Sequence, residues 1–289
     1  MTSLFLSIAF DGIAYGMLLF TITIGLSITM GVMNFVNLAH GAFAMGGGYL
    51  LVVLAGSLGL PFVPSLILIA LTFLVIGAVF ERVLARRFYG ASPLLQVLLT
   101  IGIVFISIAA ATYVFGPLSA GIRIPEWLQG RFTVGTMSFP VYRTMVIGFG
   151  IALALVLWFV LDRTLIGAKV RAAVSNRAMA EGVGINVPLL FSVLFGVGSA
   201  LAAVGGALSI EIFGLSPTYA LDYLVLVLLV VIVGGMGSIR GAFAASLLIG
   251  VIDNAGKFLL PHSGAFLIYL VAFAVLIWRP SGLFSTVEH

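Results

Sequence analysis

Long apolar runs alternate with short polar gaps along the whole chain. A membrane-spanning helix takes about 20 mainly apolar residues. The runs 12–32, 61–80, 93–115, 144–161 and 188–210 meet or approach that length. Three further passes are less regular. Residues 41–56 are short and Gly-rich, 223–236 and 241–252 are short halves around "GGMGSIRG", and 266–278, which could begin as early as 258, completes the last pass. Between them lie a basic gap with Glu81, Arg82, Arg86 and Arg87, a mixed connection at 116–143, and the polar stretch "DRTLIGAKVRAAVSNRAMAEGVGIN" at 162–186. This pattern predicts an all-α, polytopic inner-membrane bundle of about eight transmembrane passes with two Gly-rich helix breaks. It forms a single domain, 1–289, with approximate halves 1–116 and 143–289.

Composition agrees with lipid as the solvent. The 289 residues are 62% apolar and 8% charged, against roughly 25% charged in a soluble domain. The net charge is +4, but the basic residues sit in the gaps between spans. They therefore read as determinants of loop orientation and not as a nucleic-acid surface. Arg82, Arg86 and Arg87 lie in one loop and Arg163, Lys169, Arg171 and Arg177 in another, two spans apart. Both loops are expected in the cytoplasm, with the N-terminus outside and the C-terminus inside. Arg123, Arg131 and Arg143, in the outer 116–143 connection, run against that rule, which long loops follow less strictly. The first apolar run has no Lys or Arg before it, so it lacks the basic start of a secretory signal and reads as a transmembrane segment.

From 12 to 80 there is no Asp, Glu, Lys or Arg, yet "NFVNLAHGAFAMGGGY" at 34–49 brings two Asn and the only imidazole of the region. Asn34, Asn37 and His40 follow i, i+3, i+6 spacing, which on a helix would set them along one side. "HGAFA" at 40–44 is echoed by "RGAFA" at 240–244, each after a Gly-bearing approach. Paired, Gly-interrupted apolar segments in corresponding halves point to a transport path, because irregular backbone at membrane depth must line a cavity or be covered by protein. "GIAYG" at 12–16 and "GVGSALAAVGGA" at 196–207 read instead as surfaces for close helix packing, within the chain or against another membrane subunit.

Residues 163–187 form the one long cytoplasmic segment on this topology. Helix formers run from Ala168 to Glu181, with Gly182 and Gly184 as stop signals. Val170, Val174 and Ala178 predict one apolar stripe on a short amphipathic helix, suited to a groove on a partner protein or to the lipid surface.

Catalytic signatures are missing. There is no phosphate-binding loop, since Gly256-Lys257 is followed by Phe258, and there is no G-x-S-x-G or H-E-x-x-H. The three His, at 40, 262 and 289, are too far apart to suggest a local metal site. Asp11, Glu211, Asp222 and Asp253 are expected near span ends, and Glu211 and Asp222 flank a short outer connection, so no midplane proton site is evident.

The segments "NFVNLAHGAFAMGGGY", "NRAMAEGVGINV", "VIVGGMGSIRGAFAASLLIGVI" and "RPSGLF" together resemble, in order and spacing, the LivH-type permeases of bacterial branched-chain amino acid ABC importers. The resemblance implies a permease subunit for branched-chain or related small amino acids. A LivM-type permease would complete the translocation path. Two cytoplasmic ATPases would hydrolyse the ATP, and an extracytoplasmic solute-binding protein would deliver the solute. The chain itself would be no enzyme and would carry no metal or cofactor. It also implies that Asn34, Asn37, His40 and Gly41 lie at the path with Gly234, Gly235, Gly237 and Ser238. The loop "AMAEGVGI" looks like the ATPase contact, with Glu181 and Gly184 central and Arg171 and Arg177 in support. Arg240 stands where the family commonly has a small or apolar residue. The competing reading is a self-contained secondary transporter, which would need no ATPase.

Overall fold

The computed structural model describes residues 2–284 apart from Arg123, Thr136 and His262. Three residues cited above, Arg123, His262 and His289, therefore lie outside the described residues. The chain is helical almost throughout. α1 spans Thr2–Met33. After a break comes α2, His40–Leu51, prolonged by a π-helical turn at Val52–Ser57. α3 is Phe62–Val83 and α4 is Pro93–Phe115. A short α5, Glu126–Gln129, precedes a hairpin of β1, Arg131–Val134, and β2, Met137–Pro140, paired antiparallel with Arg131 opposite Pro140. α6 is Val141–Arg163, α7 Leu165–Ser175 and α8 Arg177–Gly182. α9 is Val187–Phe213, α10 Tyr219–Asp222, α11 Leu224–Gly234, α12 Ile239–Leu259 and α13 Gly264–Trp278.

Local chemistry sets many of these limits. Asn176, Asn186 and Ser238 each cap a helix by accepting a backbone N–H with the side-chain oxygen, from Met179, Leu189 and Gly241 respectively. α4 and α9 both stop where a glycine, Gly116 or Gly214, takes positive φ. Seven helices are long and apolar enough to cross a membrane, and the segments Tyr219–Gly234 and Gly264–Trp278 are shorter apolar helices. Asp11 near the start of α1 pairs with Arg143 beside the hairpin, whereas Phe284 hydrogen-bonds to Gly234 beside the second break. Asp11 and Phe284 thus lie at opposite ends of the bundle. With those two shorter helices the described residues hold nine apolar helices.

α1 and α9 make the centre. They pack antiparallel at Gly25 and Gly198, where a Cβ on Gly25 would stand 2.3 Å from the Gly198 carbonyl oxygen. Glycine is the only residue that lets the backbones come this close. Gly12 and Gly16 meet α12 in the same way, and Gly206 meets Ala44 of α2. The small-residue faces seen in the sequence are therefore consumed inside this chain and are not free for a second permease. α3, α4 and α6 instead carry exposed Ile, Leu, Val and Phe on their outer faces, as lipid-facing helices do.

Several expectations change. α12 is one 21-residue helix that continues past 252 through Asp253. Asp253 is consequently not a span-end residue. It is buried within α12, with Lys257 Nζ 2.6 Å from its carboxylate. The connection between Glu211 and Asp222 is not a simple outer loop either, since Leu215, Tyr219 and Ala220 are buried. Tyr219 bonds through its hydroxyl to Ser209 Oγ at 2.7 Å, and Ala120 donates its N–H to the Leu215 carbonyl.

Candidate functional site

The first break is not helical. Residues 34–37 are irregular and Asn34 has φ +49°, the one positive φ outside glycine among the described residues. Asn34, Asn37 and His40 therefore do not share a helix face as their spacing predicts. They separate in depth. Asn34 is exposed at the end of α1. His40 is buried, with its Nε2 2.7 Å from the carbonyl oxygen of Ile22. Ile22 lies about three turns back from Met33, on the order of 16 Å at 1.5 Å per residue. The chain thus climbs back into the bundle before α2 begins. There Gly41 abuts α10, its missing Cβ 2.7 Å from the Ala220 oxygen. A segment rising from one end of the bundle meets, at Gly41 and Ala220, a segment entering from the other.

Asn37 lies on this climb, buried, and neither its side-chain oxygen nor its nitrogen has a hydrogen-bond partner. Thr23 Oγ1 and Ser27 Oγ on α1 and Tyr49 Oη on α2 are likewise buried and unpartnered. Buried polar atoms without partners are rare and costly, so four such side chains around one break mark a region built for something other than packing.

The second break meets the first. Gly237, at φ +79°, lies against Gly31 so closely that a Cβ on Gly31 would stand 2.2 Å from the Gly237 Cα. The Gly237 N–H bonds to the Ser27 carbonyl at 3.1 Å. Gly235 also has positive φ, Gly234 packs against Gly241, and Ser238 Oγ accepts the Gly241 N–H at 3.0 Å to start α12. The echo at 40–44 and 240–244 is thus structural, each segment opening a helix after a break. It is not chemical: His40 is buried, whereas Arg240 is exposed, 3.2 Å from Asp162 and over the Trp158 ring.

A groove of about 830 Å³ joins these parts, lined by Asn34, Gly31, Gly237, Ser238, Arg171 and Val174 among others. It sits between the ends of α1 and α6, the second break and α7. Arg171 is tied to the Leu161 carbonyl at the end of α6. Among the residues marked out by the sequence, the structure brings Asn34, Gly237, Ser238 and Arg171 to this groove. Asn37, His40 and Gly41 lie deeper, and Arg177, Glu181 and Gly184 lie off it.

The polar segment 163–187 is two helices, not one. Asn176 leaves helical geometry at φ −155° and caps α8. The expected stripe of Val170, Val174 and Ala178 is broken there. Gly167, Val170 and Ala173 are the buried face of α7 and Ala180 that of α8, while Val174 and Ala178 are exposed. Arg177 and Glu181 form an exposed pair at 3.0 Å, with Arg177 over the Phe191 ring. Gly184 has φ +86° and donates its N–H to the Glu181 carbonyl, which lets the chain turn into α9.

Two supports escaped the sequence reading. Glu81 is fully buried at the end of α3. It receives Arg86 in two hydrogen bonds (2.8 and 3.1 Å), the Ser192 hydroxyl at 2.6 Å and the Tyr89 hydroxyl at 2.8 Å. Burial and the bond to Glu81 hold the Tyr89 phenol far above its usual range, hence protonated as the donor. Phe35 of the first break packs edge-on against Tyr89. Gln96, near the start of α4, accepts the Val36 N–H at 2.9 Å and donates to the Phe88 carbonyl at 3.0 Å. An acid with an Arg five residues on, and an amide in the first turn of an apolar helix, were the signals present.

Residues 8–278 match the family described as "Branched-chain amino acid transport system / permease component". The chain is 28% identical to BraD of Pseudomonas aeruginosa over 96% of its length and 95% of that protein's, a high-affinity branched-chain amino acid transport system permease. It is 27% identical to LivH of Salmonella typhimurium over 98% and 96%. It is 25% identical to a probable LivH of Methanocaldococcus jannaschii over 94% and 90%. No solved structure matches. With the match covering nearly the whole chain, and with apolar helices throughout, this is a multi-pass membrane protein that belongs to the LivH-type permease family of branched-chain amino acid transport.

Proposed function

We propose that this chain imports branched-chain or closely related amino acids as one of two permeases in an ABC transporter. A LivM-type subunit completes the path, two ATPases act on the cytoplasmic side, and a binding protein delivers solute from outside. No cofactor or metal takes part in this chain. The end that carries the groove and its arginines faces the cytoplasm, so the hairpin end faces outward. The carrying observation is the packing of the two breaks on each other at Gly31 and Gly237, in the same groove that α7 lines. A push on α7–α8 from a partner is transmitted to both breaks through that contact. Asn34, Asn37, His40 and Gly41 then line or gate the path with residues 234–238. Arg171, Arg177, Glu181 and Gly184 couple it to the ATPases.

The test is reconstitution of the chain with a second permease, the ATPases and the binding protein. Leucine uptake should require ATP and every component. A Gly184→Trp, Glu181→Arg double variant should lose ATPase attachment or binding-protein-stimulated hydrolysis, because Gly184 holds positive φ, where a bulky residue is strained. Leucine uptake by the chain alone, driven by an ion gradient, would instead establish a secondary transporter.

A further inference from the structure

At the end of the bundle opposite the breaks lies a second cavity, of about 510 Å³, between the start of α1, α5, the hairpin, the start of α6 and the end of α9. Four charged side chains line it: Asp11, Arg131, Arg143 and Glu211. Asp11 and Arg143 are paired to each other and half-buried, joining α1 to α6. They cancel. Arg131 is held in place by Ser138, through Nε to the hydroxyl at 2.9 Å and through Nη2 to the carbonyl at 3.0 Å. These use two of the five guanidinium donors. Glu211 has no ion-pair or hydrogen-bond partner among the described residues. The cavity therefore offers one fixed positive group and one uncommitted negative group.

One wall is apolar. Phe10 and Phe139 pack as a tilted pair with ring centroids 4.7 Å apart, and Ile212 follows Glu211 on α9. Tyr142 closes one side, its hydroxyl occupied by the Leu208 carbonyl at 2.6 Å. That bond also fixes the start of α6 to α9, so the arginine side and the glutamate side of the cavity are held by one scaffold. The lining as a whole is more polar than apolar, with this one apolar wall.

We infer that this cavity is a receiving subsite for a free zwitterionic amino acid with an apolar side chain. Glu211 takes the ammonium, Arg131 takes the carboxylate and the Phe10–Phe139–Ile212 wall takes the side chain. Net charge selects the class. A site for anions or for cations would be left with an excess of one sign, whereas here one free charge of each sign remains after Asp11 and Arg143 neutralise each other. The inference deepens the import reading and rests on it: the cavity stands at the end proposed to face outward, where solute leaves its binding protein.

The experiment uses the purified complex with its ATPases and without binding protein, and measures equilibrium binding of radiolabelled leucine. Saturable binding is expected. Isocaproate, which lacks the ammonium, and isoamylamine, which lacks the carboxylate, should fail to displace it. Glu211→Gln should weaken it about tenfold or more, as loss of a charge-assisted contact does, and Glu211→Asp should restore most of it. Glu211 is exposed, so co-purification of the variant complex with its ATPases serves as the control for folding. Leucine binding unchanged in Glu211→Gln, or displaced equally by either analogue, overturns the subsite. So does unchanged leucine binding with lost stimulation by loaded binding protein, which would make this face a protein-docking surface. If the wild-type complex takes up leucine with ATP while Glu211→Gln is indifferent, the subsite alone fails. ATP-driven uptake of a non-amino-acid solute by the wild type brings down the import reading and the subsite with it.

Discussion

Asn37 sets the sharpest problem among single side chains. It is buried with an amide that bonds to nothing, a condition that costs about 1–3 kcal/mol relative to a satisfied or apolar side chain. If the amide serves passing solute, stability and function should move in opposite directions on replacement. Asn37→Leu is expected to raise the thermal stability of the complex and to lower leucine uptake at least tenfold. Uptake at the wild-type rate would remove Asn37 from the path. The residue was legible in the sequence because an Asn in a charge-free run has few innocent explanations. Its unpartnered state was not legible, because hydrogen bonding depends on whichever helices happen to surround it. Thr23, Ser27 and Tyr49 were missed for the same reason. Ser and Thr are common in membrane helices, where they usually bond to their own backbone, as Thr21 does to Met17.

At the scale of elements, apolar length located nearly every helix, since lipid thickness imposes it. Breaks were harder. The i, i+3, i+6 spacing at 34–40 suggested a helical face, yet the chain there leaves helical geometry at Asn34. Periodicity cannot report a break that tertiary contacts, here Gln96 and Ile22, hold open. The segment 163–187 shows the same limit: a continuous helix-forming stretch is split at Asn176 because its side chain caps the next helix more favourably than it continues the last. Asn176→Ala should therefore cost about 1 kcal/mol of local stability. α7 and α8 should then show faster amide hydrogen exchange, and solute-stimulated ATP hydrolysis should fall while α9 remains protected. Unchanged exchange across 165–182 would show that the cap does not define the pair.

For the whole molecule, the orientation is open to direct measurement because the chain has no cysteine. Ser175→Cys, on exposed α7 beside the groove, and Leu118→Cys, on the exposed connection after α4, sit at opposite ends. In sealed cells a membrane-impermeant thiol reagent should label Leu118→Cys and spare Ser175→Cys, with the reverse in inverted vesicles. The opposite pattern would turn the molecule over, and with it the assignment of the groove to the ATPases. Loop charge alone left this uncertain, since Arg131 and Arg143 lie at the end proposed to be outside. The structure supplies a local reason for them: Arg143 is paired with Asp11 and Arg131 is bound to its own hairpin.

The central place of α1 also has a consequence for biosynthesis. In its most apolar stretch 83% of residues are buried by the rest of the protein, against 11% in α6. Yet α1 is made well before the helices it packs against most closely, α9 and α12, which leave the ribosome more than 150 residues later. In the interval Thr21, Thr23, Ser27 and Thr29 must wait in lipid or beside the insertion machinery. A chain interrupted before α12 leaves the glycine face of α1 bare. Final packing of α1 therefore comes late, once α12 has been made, and a chain interrupted before it would expose polar and glycine positions of α1 that the complete fold buries.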